Sequence, residues 1–227
     1  MTQTMTQDAA QDIAGTLGFP SKMPGTAYGI PAQRCITGSK LVAVPGTVCH
    51  GCYALDRNNY RFAGVKQSQE TRFASLTHPL WVQAQVKMLR AAHGLDGHKV
   101  HRKIKDPGYH RWHDSGDLQS VEHLARICEI ARQTPEIKHW IPTREISIVL
   151  AFVRGGGIVP ANLAIRVSAT KVDGKPTTQW PLTSGVHEHT SVPEHERCTA
   201  PDHDVQCGPC RDCWDTSVPH KSYHKHA

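Results

Sequence analysis

The sequence predicts an α/β protein: βαβ units around a parallel sheet, open or barrel-like. Three observations carry this. Short strand-like segments (Tyr109–His113, Ile137–Ile141, Leu163–Val167) alternate with helical periods. The helices between them repeat apolar residues at i, i+3, i+4 and i+7, as at Val121, Leu124, Ala125 and Cys128. Polar residues follow each strand at the edge where parallel α/β folds place their ligands.

Taken in order, residues 1–20 read as a flexible tail with a short helix near Gln7–Thr16. Residues 21–31, with Gly and Pro in close succession, read as loop. Lys40–Val44 is an apolar run before Pro45-Gly46 and reads as a brief strand or a turn-bounded segment. Val65–Leu76 and Pro79–Ala92 read as helices, the second opened by proline in its first turn. After strand Tyr109–His113 comes the turn Asp114–Asp117, then helix Leu118–Gln133 stopped at Thr134-Pro135. Strand Ile137–Ile141 leads into helix Arg144–Val153, stopped by Gly155-Gly156-Gly157, and strand Leu163–Val167 closes the pattern. Periodicity fades after Ala169. The organisation expected is a tail (1–20), an α/β core (21–170) and an irregular, cysteine-rich extension packed on it (171–227). His220–His226, with three histidines, reads as a solvated end.

The chain has 227 residues with 38% hydrophobic and 20% charged, enough apolar material for a core and too much for wholesale disorder. Its formal charge of +6 permits an acidic partner without demanding one. No apolar run reaches the ~18 residues of a membrane span, so no membrane partner is expected. The start lacks a secretory pattern. The expected compartment is a reducing cytoplasm, where disulfides rarely persist. Eight cysteines are too few for a disulfide scaffold, so metal is the first explanation for the thiols.

Seven of them fall into two sets. Cys35 is followed by thirteen residues, Cys49, two residues, and Cys52. Cys198 is followed by eight residues and the string Cys207, Cys210, Cys213 with two residues in each gap. Two-residue gaps let neighbouring sulfurs turn to one centre. A C-x2-C-x2-C string resembles iron–sulfur usage, and a fourth thiolate would complete a 4Fe–4S cluster. Structural zinc, with His203 or Cys198 as fourth ligand, is the alternative. The first set supplies three thiolates, which would leave one iron open to a small molecule carrying an amine and a carboxylate, such as S-adenosylmethionine. The alternative there is one metal shared with a C-terminal cysteine. Cys128 reads as core.

Ser115, Gly116 and Asp117 stand at the end of the first alternating strand and offer hydrogen-bond acceptors and a close backbone approach to a ligand; Asp117 or Ser115 reads equally as a helix cap. Arg144, after the next strand, is placed to pair a carboxylate, or to cap or form a salt bridge. Lys99, Arg102, Lys103, Lys105 and Arg111 form a basic run that reads as a solvated loop or as a contact to phosphates. No Walker-type loop, dinucleotide GxGxxG or GxSxG elbow occurs.

The strings SKMPGTAYGIPAQRC, GTVCHGCYA, RWHDSGDLQSVEHL, IPTRE and CGPCRDCWD resemble the bacteriophage gene product 88 family over about Ser21–His226. That resemblance implies a phage protein made in the host cytoplasm. Three early cysteines, Tyr53 beside the last, and a small-Gly-acid turn after an early strand are also similar to radical S-adenosylmethionine enzymes. This second resemblance implies a partial (β/α) barrel with a 4Fe–4S cluster on Cys35, Cys49 and Cys52. It implies Ser115-Gly116-Asp117 beside the adenosylmethionine amine and a reductant protein as partner. The chain departs from that pattern in its thirteen-residue first gap, where three is usual, and in Asp for Glu. A non-catalytic iron–sulfur protein that carries electrons or senses redox state is the first rival. A zinc-stabilised nucleic-acid-binding protein is the second.

Overall fold

The computed structural model describes residues 5–189 and 191–225. Six strands form one sheet: β1 (Thr26–Tyr28), β2 (Tyr109–Trp112), β3 (Lys138–Thr143), β4 (Leu163–Ser168), β5 (Thr183–His187) and β6 (His220–His224). Every pairing is parallel and the order is β1-β2-β3-β4-β5-β6. The sheet is mixed into an α/β fold as the alternation predicts, and it is not closed: β1 and β6 are its edges. Strands added in chain order by right-handed crossovers put their helices on one face.

That face holds the main core. Tyr28, Trp112, Ile141, Leu163 and Ile165 from the strands meet Trp81, Leu124, Ile127 and Val149 from helices α5 (Trp81–Ala92), α6 (Val121–Gln133) and α7 (Ile146–Arg154). Alternation along each strand sends Tyr109, Arg111, Trp140 and Arg166 to the other face. There Trp140 packs with Met23, Cys213 and Trp214 in a second, smaller cluster.

Four expectations are corrected. The segment 21–31 contains β1, whose three residues are all buried; Thr26 pairs with His110 and Tyr28 with Trp112. Of the two readings of Lys40–Val44, the strand fails and the turn-bounded segment holds: α2 (Ile36–Leu41) runs into it, and the Thr47 hydroxyl donates to Leu41 O and Val44 O at 3.0 and 2.9 Å, curling the chain into a turn. Within 1–20, α1 (Gln7–Ala14) is packed rather than loose. Thr6 caps it, Ala10 and Ala14 are fully buried, and the Tyr28 hydroxyl donates to Ala14 O at 2.6 Å; residues 1–4 lie outside the described residues. Finally, 171–227, expected to be irregular, supplies β5 and β6 to the sheet. The stretch 220–226, read as a solvated end, forms β6 as far as His224, with Lys221 and Ser222 buried; His226 lies outside the described residues. No helix among those described is long and apolar enough to cross a membrane.

Candidate functional site

Two thiol-lined sites emerge, one at the carboxyl edge of the sheet and one on its second face. The first is built by the chain that leaves β1. Cys35 opens α2, and Cys52 opens α3 (Tyr53–Asp56). Between them, Val48 N donates to Thr170 O at 3.0 Å and Thr47 bridges to Lys171, so this loop docks on the end of β4. Burial pushes the Cys35 thiol up, and Asp117, Cys52, Cys49 and Glu145 add to the effect. Burial raises Cys49 as well, opposed by the Arg144 guanidinium. The three cysteines are thus mutual neighbours, with Asp117, Arg144 and Glu145 around them.

Two residues at this site escaped sequence reasoning. A Cβ on Gly38 would stand 3.0 Å from Cys35 Cβ and 3.6 and 3.7 Å from the Cys35 and Cys49 sulfurs. Glycine keeps open the space both thiols border. Glu145, just before α7, is 2% exposed and grips α2: its carboxylate accepts from Thr37 N at 2.7 Å and from the Thr37 hydroxyl at 2.8 Å. Only its place after a strand hinted at a role; the Thr37 partner is 108 residues away.

Of the four residues expected at a bound ligand, two face scaffold. The Ser115 hydroxyl donates to Ile30 O at 2.7 Å and accepts from Gln69 Nε2. Gly116 has φ +76° and lies so close to Ile30 that a Cβ would overlap it. Asp117 and Arg144 do reach the thiols. Asp117 Oδ1 accepts from Leu118 N and the Thr143 hydroxyl, and Oδ2 from Arg144 N. Burial lifts its carboxyl to about 7. Arg144 Nη1 donates to Ser168 O and Ala169 O, while its buried Nε has no partner.

The second site is built by residues 198–213. Cys198 N donates to Ser222 O at 2.8 Å, beside β6, and Cys207 N to Lys22 O at 3.0 Å. Cys210 N donates to Cys207 O at 3.2 Å in the expected tight turn. A short 3₁₀ turn (Asp212–Trp214) carries Cys213 under the sheet, where its sulfur meets the Tyr223 hydroxyl at 3.3 Å. Burial raises the thiols of Cys198 and Cys207, and lifts Cys213 to about 12; Cys198 is a charge neighbour of Cys207, Cys210 and Cys213. All seven cysteines are free thiols. Cys128 is buried on α6 in the main core. Among the described residues, no three His, Cys, Asp or Glu side chains stand as close as one metal ion requires.

Guanidinium groups line the second face. Arg166 is fully buried and spends its donors on carbonyls: Nε to Cys213 O at 3.0 Å, Nη2 to Asp212 O and Asp215 O at 2.7 Å. Arg111 lies over the Trp140 ring, 4.7 Å from its centroid; its Nη1 meets only Met23 Sδ at 3.7 Å, and its buried Nε has no partner. Its charge acts on Tyr53, Asp114 and Tyr60, on Tyr223, and on Cys207. Tyr60 is in turn a charge neighbour of Cys52. Arg111, Arg144 and Arg166 form no ion pair with a carboxylate among the described residues. A charge taken out of water without a counter-charge is costly.

Fold and sites together define a parallel α/β protein with two thiol-lined sites. Its family is shown directly: the family model for gene product 88 matches residues 2–224, and the chain belongs to that family. No curated protein and no solved structure matches it.

Proposed function

We propose that this protein is an iron–sulfur protein with a radical-S-adenosylmethionine-like site, holding one 4Fe–4S cluster on Cys35, Cys49 and Cys52 and a second on Cys198, Cys207, Cys210 and Cys213. The observation that supports the reading is that the free thiols within each set act electrostatically on one another, beside guanidiniums that form no ion pair with a carboxylate among the described residues. Metal binding strips protons from thiols. Thiolates would add negative charge beside Arg111 and Arg144, which interact with Asp114 and with Asp117 and Glu145 without forming an ion pair, and beside Arg166.

The residues fit a cluster better than a single ion. A cubane interposes its own sulfides and irons, so its thiolates stand farther apart than the ligands of one zinc. Gly38 leaves the space unfilled. When bound, a reduced cluster of this kind supplies one electron to a ligand on its open iron.

The rest falls to the chain. Asp117 and Arg144, at the carboxyl edge of β2 and β3, would meet the amine and carboxylate of S-adenosylmethionine; Ser115 and Gly116 would hold Asp117 in place through Ile30. The Glu145–Thr37 clamp would fix Cys35 at the start of α2. Strands laid in chain order, with a thiol trio in the loop after the first, support the partial-barrel reading. A reductant protein would deliver the electron.

Anaerobic purification followed by iron, sulfide and zinc analysis tests this. Brown protein with about four irons and four sulfides per set is expected. Colourless protein with zinc in their place would overturn it. Binding of S-adenosylmethionine to the reduced protein, followed by calorimetry, decides the enzyme reading; a cluster-loaded protein that ignores it is an electron carrier or redox sensor.

A further inference from the structure

A cleft of about 380 Å³ opens beside the second thiol site, lined by Lys22, Met23, Lys105, Cys207, Gly208 and Arg211 among others. Its walls are fixed by backbone bonds. Cys207 N donates to Lys22 O, and Lys105 N and Asp106 N both donate to Pro24 O at 2.9 Å. Lys105 Nζ reaches Ser21 O at 2.7 Å and Gln206 Oε1 at 2.6 Å, joining the segment before β1 to the loop before β2 and to the thiol string.

Of the basic run singled out in the sequence, Lys105 lines the cleft, and Lys99, Arg102 and Lys103 stand on the chain that leads into it. Residues 19–22 run beside 101–105, with the Phe19 and His101 rings stacked 4.1 Å apart. Lys22, Lys99, Arg102, Lys103 and Lys105 are exposed. None of them pairs with a carboxylate among the described residues, whereas Arg211 is neutralised by Asp106 at 3.1 Å. Asp204 is the one lining acid not spent in this way. At the cleft's lip, Asp204 and Val205 hold φ of +52° and +60°, a backbone state a β-branched residue rarely adopts.

From this juxtaposition we infer that the cleft is a phosphate-binding site, taking the backbone of a nucleic-acid strand or the phosphate of a free nucleotide. Lysines set along a groove track phosphates. The Phe19–His101 stack, three residues before Lys22 and outside the cleft's own lining, offers a flat face to a base of a strand that extends past the cleft. Nothing in this inference requires metal at either thiol set.

The test uses the full-length protein as purified. A labelled ~20-nucleotide DNA strand, the same sequence as RNA, adenosine monophosphate with inorganic phosphate, and poly-glutamate are titrated separately. The expected result is saturable binding by a phosphate probe. For a strand, affinity should fall about tenfold or more between ~50 and ~200 mM salt, as three or more phosphate contacts imply. Strand binding far tighter than mononucleotide names a nucleic acid; mononucleotide binding as tight as strand binding names a free phosphate ester. Lys22→Glu and Arg102→Glu, both on exposed side chains, should each weaken binding several-fold, and Lys175→Glu, away from the cleft, should not. Absence of binding at low salt, equal binding of poly-glutamate, or equal loss in all three variants would overturn the inference. A protein that binds phosphate but carries no iron would sink the cluster proposal alone.

Discussion

Gly38 and Arg111 are the residues on which the two-cluster account presses hardest. Gly38→Val puts a branched side chain between the Cys35 and Cys49 sulfurs. The expected outcome is loss of about half of the bound iron with unchanged circular dichroism, because α2 is half-exposed and has room to accept the side chain everywhere except toward the thiols. A variant that keeps all its iron would show that this space is not used. Arg111→Met removes the charge beside Cys207 while keeping an apolar stem against Trp140. Losing the stacked cation costs about 0.5–2 kcal/mol. Its bound cluster should become harder to reduce, and Arg111→Lys should restore most of the shift. A redox titration reads both; identical potentials in all three proteins would exclude Arg111 as counter-charge.

At the scale of elements, packing decides what the sequence leaves ambiguous. The sequence places a short helix near Gln7–Thr16 inside a tail, and eight residues with little apolar content do not hold a helix alone. It is held by burial of Ala10 and Ala14 and by hydrogen bonds from Tyr28 to Ala14 O and from Arg72 Nε to Thr16 O. Deleting residues 1–16 should lower the unfolding free energy by about 2–4 kcal/mol, from buried methyls and lost hydrogen bonds; a truncated protein as stable as the whole would return α1 to the status of a tail. Leu124→Ala in α6, fully buried, should cost about 2–5 kcal/mol, while Val121→Ala, 40% exposed on the same helix, should stay within about 0.5 kcal/mol. Urea unfolding measures both. The elements from β2 to β4 were legible because their strands and helices carry clear periods of two and 3.6. β1, β5 and β6 were not. β1 is three residues between glycines, and β5 (TSGVH) and β6 (HKSYH) hold few apolar residues. Their pairing comes from neighbouring strands. The two-residue gaps of Cys49–Cys52 and Cys207–Cys210–Cys213 are plain in the sequence, but Glu145 and Arg166 act on partners 108 and 47 residues away, and no local pattern reports such contacts.

For the molecule as a whole, buried histidines dominate the response to acid. His93, His110 and His113 are held below the ordinary imidazole range by burial, and His123 and His139 are lowered to about 3. Their partners fix neutral forms. His93 Nδ1–H donates to Pro107 O, so its Nε2 accepts from Thr26, whose oxygen accepts from His110 Nδ1–H, each at 2.7 Å. A group with a depressed histidine pKa binds its proton in the unfolded chain first. Stability is therefore fully present above about 6.5 and falls as pH drops below it. Asp117, raised to about 7, acts in the opposite direction as one group against five. Urea midpoints should fall steadily from pH 7 to pH 5; a flat profile would mean that these rings are protonated or hydrated in the folded state.

The central claim is that the two thiol sets grip two separate inorganic clusters. Its most direct test is the iron and sulfide content, with electron paramagnetic resonance of the reduced state, of anaerobically prepared wild type, Cys49→Ala and Cys210→Ala. Two sites predict that each variant loses about half of the metal and a different part of the spectrum. Complete loss from either single change would mean one shared site, and wild-type protein that folds normally without iron would contradict the account altogether.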